Sequence, residues 1–417
     1  MTTVTKTLHD RTSLPPTIGG SVAAGFEPVR TAFERNFVEC GEQGAACTLF
    51  HRGRKVVDLW GGYRDTRSGQ PWTPQTLTLT FSVTKGMAAA AMAVAHSRGL
   101  FELDEPVARY WPEFAAAGKS AITVGQLLSH QAGLIAPRQR LNASILANHD
   151  QLAAILAEQA PHWEPGTRHG YHTLTLGWYQ NELIRRTDPA GRSLGVFFQQ
   201  EIAEPLGIEF YIGLPADIDP ARLSHIAGFP RIAMLAHLHQ LPAKMVLSGA
   251  WPTSLVAKSI RVLPVDNPSQ IGAPPYRHLE IPSANGFGTA AAIARVYDSL
   301  VRDGEELGLS EQTSQALVAP PVAPTRGSYD AILKVDSQYH FGFSRPSGGF
   351  PFGSASTAFG CPGAGGSFAF ADPQAEIAFA YVTNKMSFRI FDDPRERAVR
   401  KACYACLSDP RPVTRVA

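Results

Sequence analysis

The chain has 417 residues, a net charge of +2, 44% hydrophobic and 18% charged residues, the balance of an ordinary soluble globular protein. That length is ample for a large core and fits two lobes or one large α/β unit. The near-neutral charge gives no electrostatic case for nucleic acid or an anionic membrane, and no run reaches the roughly 18 apolar residues of a membrane-spanning helix.

Residues 1–20 are polar, contain Pro and Gly, and lack the apolar stretch of a signal peptide, which predicts a mobile N-terminal arm over 1–24 and a cytoplasmic protein. Residues 28–37 pattern as an amphipathic helix. Residues 46–50 and 56–60 read as strands joined by the polar turn 51–55, after which Trp60-Gly61-Gly62-Tyr63 leads into a loop. Residues 76–80 alternate polar and apolar as a short extended segment, and Phe81-Ser82-Val83-Thr84-Lys85 follows. Residues 86–96 are Ala-rich and apolar on most faces, the pattern of a buried helix, stopped by Gly99.

Short helices are predicted near 103–107, with Asp104 as N-cap, and over 122–130, 152–158, 174–186, 195–202 and 289–301. Residues 241–282 are Pro-rich with little periodicity, an insertion suited to shaping a pocket. Strands are predicted over 338–343, 367–370 and 377–383, with a turn at 372–375 and a final helix over 393–407. The expected fold class is α/β (α+β). An antiparallel sheet built from both chain ends (25–85 and 300–417) is flanked by helices, and a mostly helical lobe (86–299) is inserted between them.

Five cysteines without an export signal suggest reduced thiols. Cys403 and Cys406 have C-x-x-C spacing, but no second pair or histidine cluster completes a metal site, so no metal is expected. His237 and His239 are two residues apart, wrong for a shared helix face, and no H-E-x-x-H pair occurs.

Three stretches could carry chemistry. Ser82 precedes an apolar helix, and Lys85 lies one turn on, the Ser-x-x-Lys pattern. A buried lysine of lowered pKa can serve a nucleophilic serine as base, and the helix start offers N–H groups to a developing oxyanion. The plainer reading is a capping serine followed by a surface lysine, yet Lys85 is the only charge between Arg67 and Arg98. Tyr171 sits in the turn-rich loop 164–173 and could relay a proton, or be an ordinary core tyrosine. Residues 359–367, rich in Gly, could bring a backbone N–H close to a ligand, or simply begin a strand. Gly191-Arg192-Ser193-Leu194-Gly195 also fits G-x-S-x-G, but a helix end and a loop precede it, so Ser193 reads as an N-cap.

Together these stretches resemble the serine β-lactamase-like superfamily, in particular its class C-like branch, the family VIII carboxylesterases. Ser82-Val83-Thr84-Lys85 matches the first motif. Tyr171-His172-Thr173 stands at the catalytic tyrosine motif, and Cys361-Pro362-Gly363 at the Lys-Thr-Gly position. Leu127–Leu134 and Asn285–Thr289 also match in order, and the likeness spans about 25–405. It implies a serine hydrolase acting on small-molecule, short-chain esters through an acyl-enzyme. Ser82, Lys85 and Tyr171 would be catalytic, the N–H groups of Ser82 and Ala364 the oxyanion hole, and His172, Cys361 and Gly363 substrate contacts, with no cofactor. Thr173 in place of Asn, and Cys361 in place of Lys or His, favour esters over β-lactams. Amidase or peptidase, lactonase, acyltransferase and a non-catalytic scaffold are the alternatives.

Overall fold

The computed structural model describes residues 17–228 and 237–408. Its centre is one antiparallel sheet made from the two ends of the chain. The N-terminal part supplies β1 (Ile18–Val22), β2 (Gly44–His51), β3 (Arg54–Asp65) and the short β4 (Gln70–Pro71). The C-terminal part supplies β8 (Gln338–His340), β9 (Phe343–Arg345), β10 (Phe359–Pro362), β11 (Phe368–Asp372) and β12 (Ile377–Thr383). The order is β1-β3-β2-β12-β11-β10-β9-β8, with β4 on β3. The seam between the chain ends is the β2–β12 pair, in register from Ala45↔Thr383 to His51↔Ile377.

Both faces of this sheet are buried, and strand alternation sorts the side chains by size. On β12, Ile377, Phe379 and Tyr381 enter one core with Phe368 and Phe370 of β11. That core is covered by α1 (Glu27–Glu39) and the C-terminal helix Pro394–Ser408, through Val29, Phe33 and Val399. Ala378, Ala380 and Val382 face the opposite side, against the helix Ala290–Val301, which in turn packs on α2 (Thr84–Ser97). Alanines on that face let the helices approach closely. Gly86 serves the same end, since a Cβ there would stand 2.1 Å from Tyr297 Oη. Burial of α2 from Thr84 to His96 accounts for its Ala-rich, unstriped composition.

A second, three-stranded sheet, ordered β5-β7-β6, joins Thr78–Leu79 (β5), Phe210–Ile212 (β6) and Gly286–Gly288 (β7). It steers the chain into Ser82, and Phe81 forms a lone bridge with Asn285 beyond its end.

Several local expectations are revised. Residues 18–22 form an edge strand on β3 rather than part of an arm; the first sixteen residues lie outside those described. The strand expected over 56–60 is longer, since β3 runs through Trp60–Tyr63 to Asp65 before the chain leaves it. The single strand expected over 338–343 is a hairpin, because Phe341 (φ 53°) and Gly342 (φ 87°) both take left-handed conformations and turn the chain. The helix near 103–107 runs from Val107 to Tyr110, and Pro106, not Asp104, precedes it.

Candidate active site

Ser82 lies in the turn between β5 and α2, two residues before the helix begins at Thr84. Phe81 beside it has φ 47°, a conformation that costs a non-glycine residue energy and persists only where packing enforces it. Phe81 is buried against Leu79, Phe287 and Met386. The turn is fixed further by Thr84, whose hydroxyl donates to Phe81 O and accepts the Gly286 N–H.

Lys85 projects from the first turn of α2 into the protein and is 1% exposed. Its Nζ donates to the main-chain carbonyls of Thr173 at 2.7 Å and Ser283 at 2.9 Å, and lies 3.2 Å from Ser82 Oγ. Burying a charge without an ionic partner is costly, and the amine responds by losing affinity for its proton. Burial pulls it from the ordinary 10.5 to about 7, against a weaker pull from the Cys361 thiol. A neutral amine has two N–H donors and one lone pair. The two carbonyls use the donors, and the lone pair is left facing the Ser82 hydroxyl.

Tyr171 packs beside this pair, with Lys85 Nζ 4.7 Å from its ring centre. Burial raises its phenol above the ordinary tyrosine range, and a hydrogen bond with Ser82 opposes that shift. The phenol is therefore neutral near pH 7. Its position is set from the main chain. The Tyr171 N–H donates to both carboxylate oxygens of Asp330, at 3.2 and 3.0 Å. Asp330 is fully buried and also accepts from Ile332 N–H, Leu333 N–H and the Tyr339 hydroxyl.

Ser82 and Tyr171 open onto a cavity of about 420 Å³. Its walls are mainly apolar, with Met245, Ile260, Ile271, Phe350, Met386 and Phe391 among them, and Ala364 also lines it. Asp266 is the only acidic lining residue among those described, and Arg345 and Arg389 the only basic ones. Arg345 donates from its guanidinium to the carbonyls of Thr357, Ala358, Leu317 and Ala319. Much of one wall comes from the Pro-rich insertion, as its composition suggested.

His172, Cys361 and Gly363, expected as substrate contacts, are not among the residues that line the cavity; they hold positions behind its wall. His172 accepts the Leu134 N–H on Nε2 at 2.9 Å, so its proton sits on Nδ1, which faces His130 Nδ1 at 3.1 Å. His130 Nδ1 also accepts the His172 main-chain N–H. Burial drives His172 down to about 3, and His130 is likewise held neutral. Cys361 points to the helix side of β10, where its thiol donates to Gly342 O, because strand alternation hands the cavity to Pro362. Burial pushes that thiol up to about 11. Gly363 makes room for the turn, since a Cβ there would come 2.5 Å from Thr80 O.

Three contributors carried no readable signal in the sequence. Asp330 anchors Tyr171, and the Ser283 carbonyl receives Lys85. Arg395, buried with Glu42 and Asp393, donates to Gly365 O at 2.7 Å and so fixes the Gly365–Gly366 peptide next to Ala364. Each acts through the main chain or at long sequence separation, which leaves no local pattern. Ser193 caps the helix Leu194–Phe198 and donates to Glu280, and it is not among the cavity residues. Among the described residues no group of side chains could hold a metal ion, and no helix is long and apolar enough to cross a membrane.

The Beta-lactamase family model matches residues 31–403. The esterase/beta-lactamase LipL of Mycobacterium tuberculosis is 31% identical over 348 residues, 83% of this chain and 78% of that protein. A family VIII carboxylesterase of known structure superposes with a TM-score of 0.81 at 36% identity, covering 94% of this chain and 100% of that one. A penicillin-binding protein homologue from Caulobacter crescentus gives a TM-score of 0.78 at 34% identity, with the same coverage of both chains. With its serine, lysine and tyrosine gathered at one apolar cavity, the chain belongs to the beta-lactamase family and shares the fold of a family VIII carboxylesterase.

Proposed function

We propose that this protein is a serine carboxylesterase that cleaves neutral esters through an acyl-enzyme on Ser82. The observation that carries the reading is the placement of Lys85 Nζ, buried, 3.2 Å from Ser82 Oγ and bonded to two main-chain carbonyls, so that the neutral amine has its lone pair free for the serine proton. Ser82 Oγ attacks the ester carbonyl carbon, and its proton passes to Lys85 Nζ. The N–H groups of Ser82 and Ala364 receive the oxyanion. The alcohol departs with a proton relayed through the Tyr171 hydroxyl, leaving Ser82 acylated. Water then attacks the acyl group, gives its proton to the same pair, and releases the acid with Ser82 restored. The apolar walls favour an uncharged substrate, and ester hydrolysis is the activity that the names of two relatives carry.

The test is labelling with a fluorophosphonate, followed by peptide mass spectrometry. Wild type should carry the adduct on Ser82 and lose p-nitrophenyl butyrate hydrolysis in step. Labelling elsewhere, or full turnover after Ser82 is modified, would overturn the proposal.

A further inference from the structure

The modest net charge conceals a local asymmetry. From Pro220 to Val265 the sequence contains no Asp or Glu, while Lys244, Lys258 and Arg261 lie within it. These three side chains are exposed. Lys244 and Lys258 lie on, and Arg261 just after, two short helices of the insertion, Ala243–Gly249 and Leu255–Ile260, which pack on each other. The first helix buries none of its residues.

The same helix pair and its link carry apolar side chains to the surface. Of seven large apolar residues left exposed among those described, Leu247 (74%), Trp251 (71%) and Ile260 (52%) belong to this segment. A fourth, Tyr329, sits 5.7 Å from Lys244 Nζ. Lys244, Leu247 and Trp251 follow helical spacing, so they share one face, and the turn continues through the Ala250 N–H to Val246 O. Met245 and Ile260 of the same pair line the cavity that holds Ser82. The patch therefore borders the cavity, and its exposed charges on these two helices are all positive.

A protein partner would not by itself require an acid-free stretch. An anionic bilayer surface favours one, because it attracts Lys and Arg over a Debye length and repels Asp and Glu while Trp and Leu enter the headgroup boundary. We infer that the helices Ala243–Gly249 and Leu255–Ile260 form a docking surface for an anionic lipid membrane, seated so that the cavity opens toward the lipid. Attachment is peripheral and uses no spanning helix. That an ester carried in the bilayer would then reach Ser82 rests on the hydrolase reading above; the docking itself does not.

The experiment is co-sedimentation of the full chain with vesicles of phosphatidylcholine alone and of an equimolar phosphatidylcholine–phosphatidylglycerol mixture. Binding should require phosphatidylglycerol and weaken with added salt. Each cation near the surface is worth about fivefold in affinity, so Lys244→Ala, Lys258→Ala and Arg261→Ala together should lose on the order of a hundredfold. Leu247→Ser with Trp251→Ser should weaken binding as well. Both variants should hydrolyse a water-soluble ester at the wild-type rate, which shows that they are folded. Failure of wild type to bind the anionic vesicles, equal binding to both kinds, or unaltered binding by the triple variant would each overturn the inference. So would a wild-type dimer on gel filtration that Leu247→Ser with Trp251→Ser dissociates while no vesicle binding occurs, which would assign the patch to a second copy of the chain. A protein that docks but fails the Ser82 labelling test would refute only the hydrolase reading.

Discussion

Lys85 Nζ stands 3.2 Å from Ser82 Oγ, held there by the carbonyls of Thr173 and Ser283, which approach from segments almost a hundred and two hundred residues away in sequence. The pair is set by neighbours along one helix turn, but its chemistry is set by those distant carbonyls and by burial.

Ser82→Ala should abolish p-nitrophenyl butyrate turnover, whereas Ser193→Ala should leave it intact. Loss of the Ser193 cap should lower stability by about 1 kcal/mol, seen as a small drop in Tm. Residual activity in Ser82→Ala above that of buffer would place the nucleophile elsewhere.

The pH profile follows from Lys85. Its folded-state pKa of about 7 lies below the ordinary 10.5, so the neutral, base-competent amine accumulates as pH rises through 7. kcat/KM should therefore climb along an acid limb centred near 7. Tyr171, held above its ordinary range, should add no inflection at neutral pH. Stability carries the same sign. Between about 7 and 10.5 the unfolded chain binds more protons at this site than the folded one, so this site favours folding progressively as pH rises across that window, and its penalty is complete below it. Lys85→Arg, which does not deprotonate, should cost about 10²–10⁴-fold in rate and erase the limb. A limb that survives in Lys85→Arg would acquit the lysine.

Asp330 should act through Tyr171 rather than on substrate. Asp330→Ala leaves three main-chain N–H groups and one hydroxyl without their partner, each costing about 1–3 kcal/mol, and should yield little folded protein. Asp330→Asn keeps one acceptor for the amides and can donate to Tyr339, so it should fold, with a lower Tm and a kcat reduced less than in Tyr171→Phe. KM should hardly move. A KM rise with kcat unchanged would point to a direct substrate role instead.

Cys361 marks where the sequence and the fold part ways. Because its thiol is buried on the helix side of β10, near Lys85, Cys361→Lys would place a second cation in the core rather than in the cavity. It should destabilise the protein and confer no gain on nitrocefin, while Cys361→Ala should hydrolyse butyrate ester nearly as wild type does. Arg389, which lines the cavity, is the cation that a β-lactam carboxylate would meet. If nitrocefin is turned over at all, Arg389→Ala should reduce that activity and spare the ester. Enhanced nitrocefin hydrolysis by Cys361→Lys would contradict the burial of that position.

The sequence by itself determined the features that rest on near neighbours. Short strand-favouring runs bounded by turns pointed to β2, β11 and β12, the uninterrupted apolar run after Lys85 pointed to a buried α2, and a poor strand context before Ser193 disposed of the competing motif. Helix spacing put Ser82 and Lys85 together, and turn-rich composition marked the insertion that walls the cavity. Only the tertiary structure decided what depends on which face a residue takes and what meets it across the fold. Pro362 rather than Cys361 lines the cavity because pairing with β9 and β11 fixes the face of β10. His172 turns inward to His130 because its ring nitrogens find partners there. Asp330, Ser283 and Arg395 reach the site from distant segments through main-chain groups, and main-chain hydrogen bonds leave no mark on residue type. The lowered affinity of Lys85 for its proton has the same origin: desolvation is a property of everything packed around the amine, and no local pattern records it.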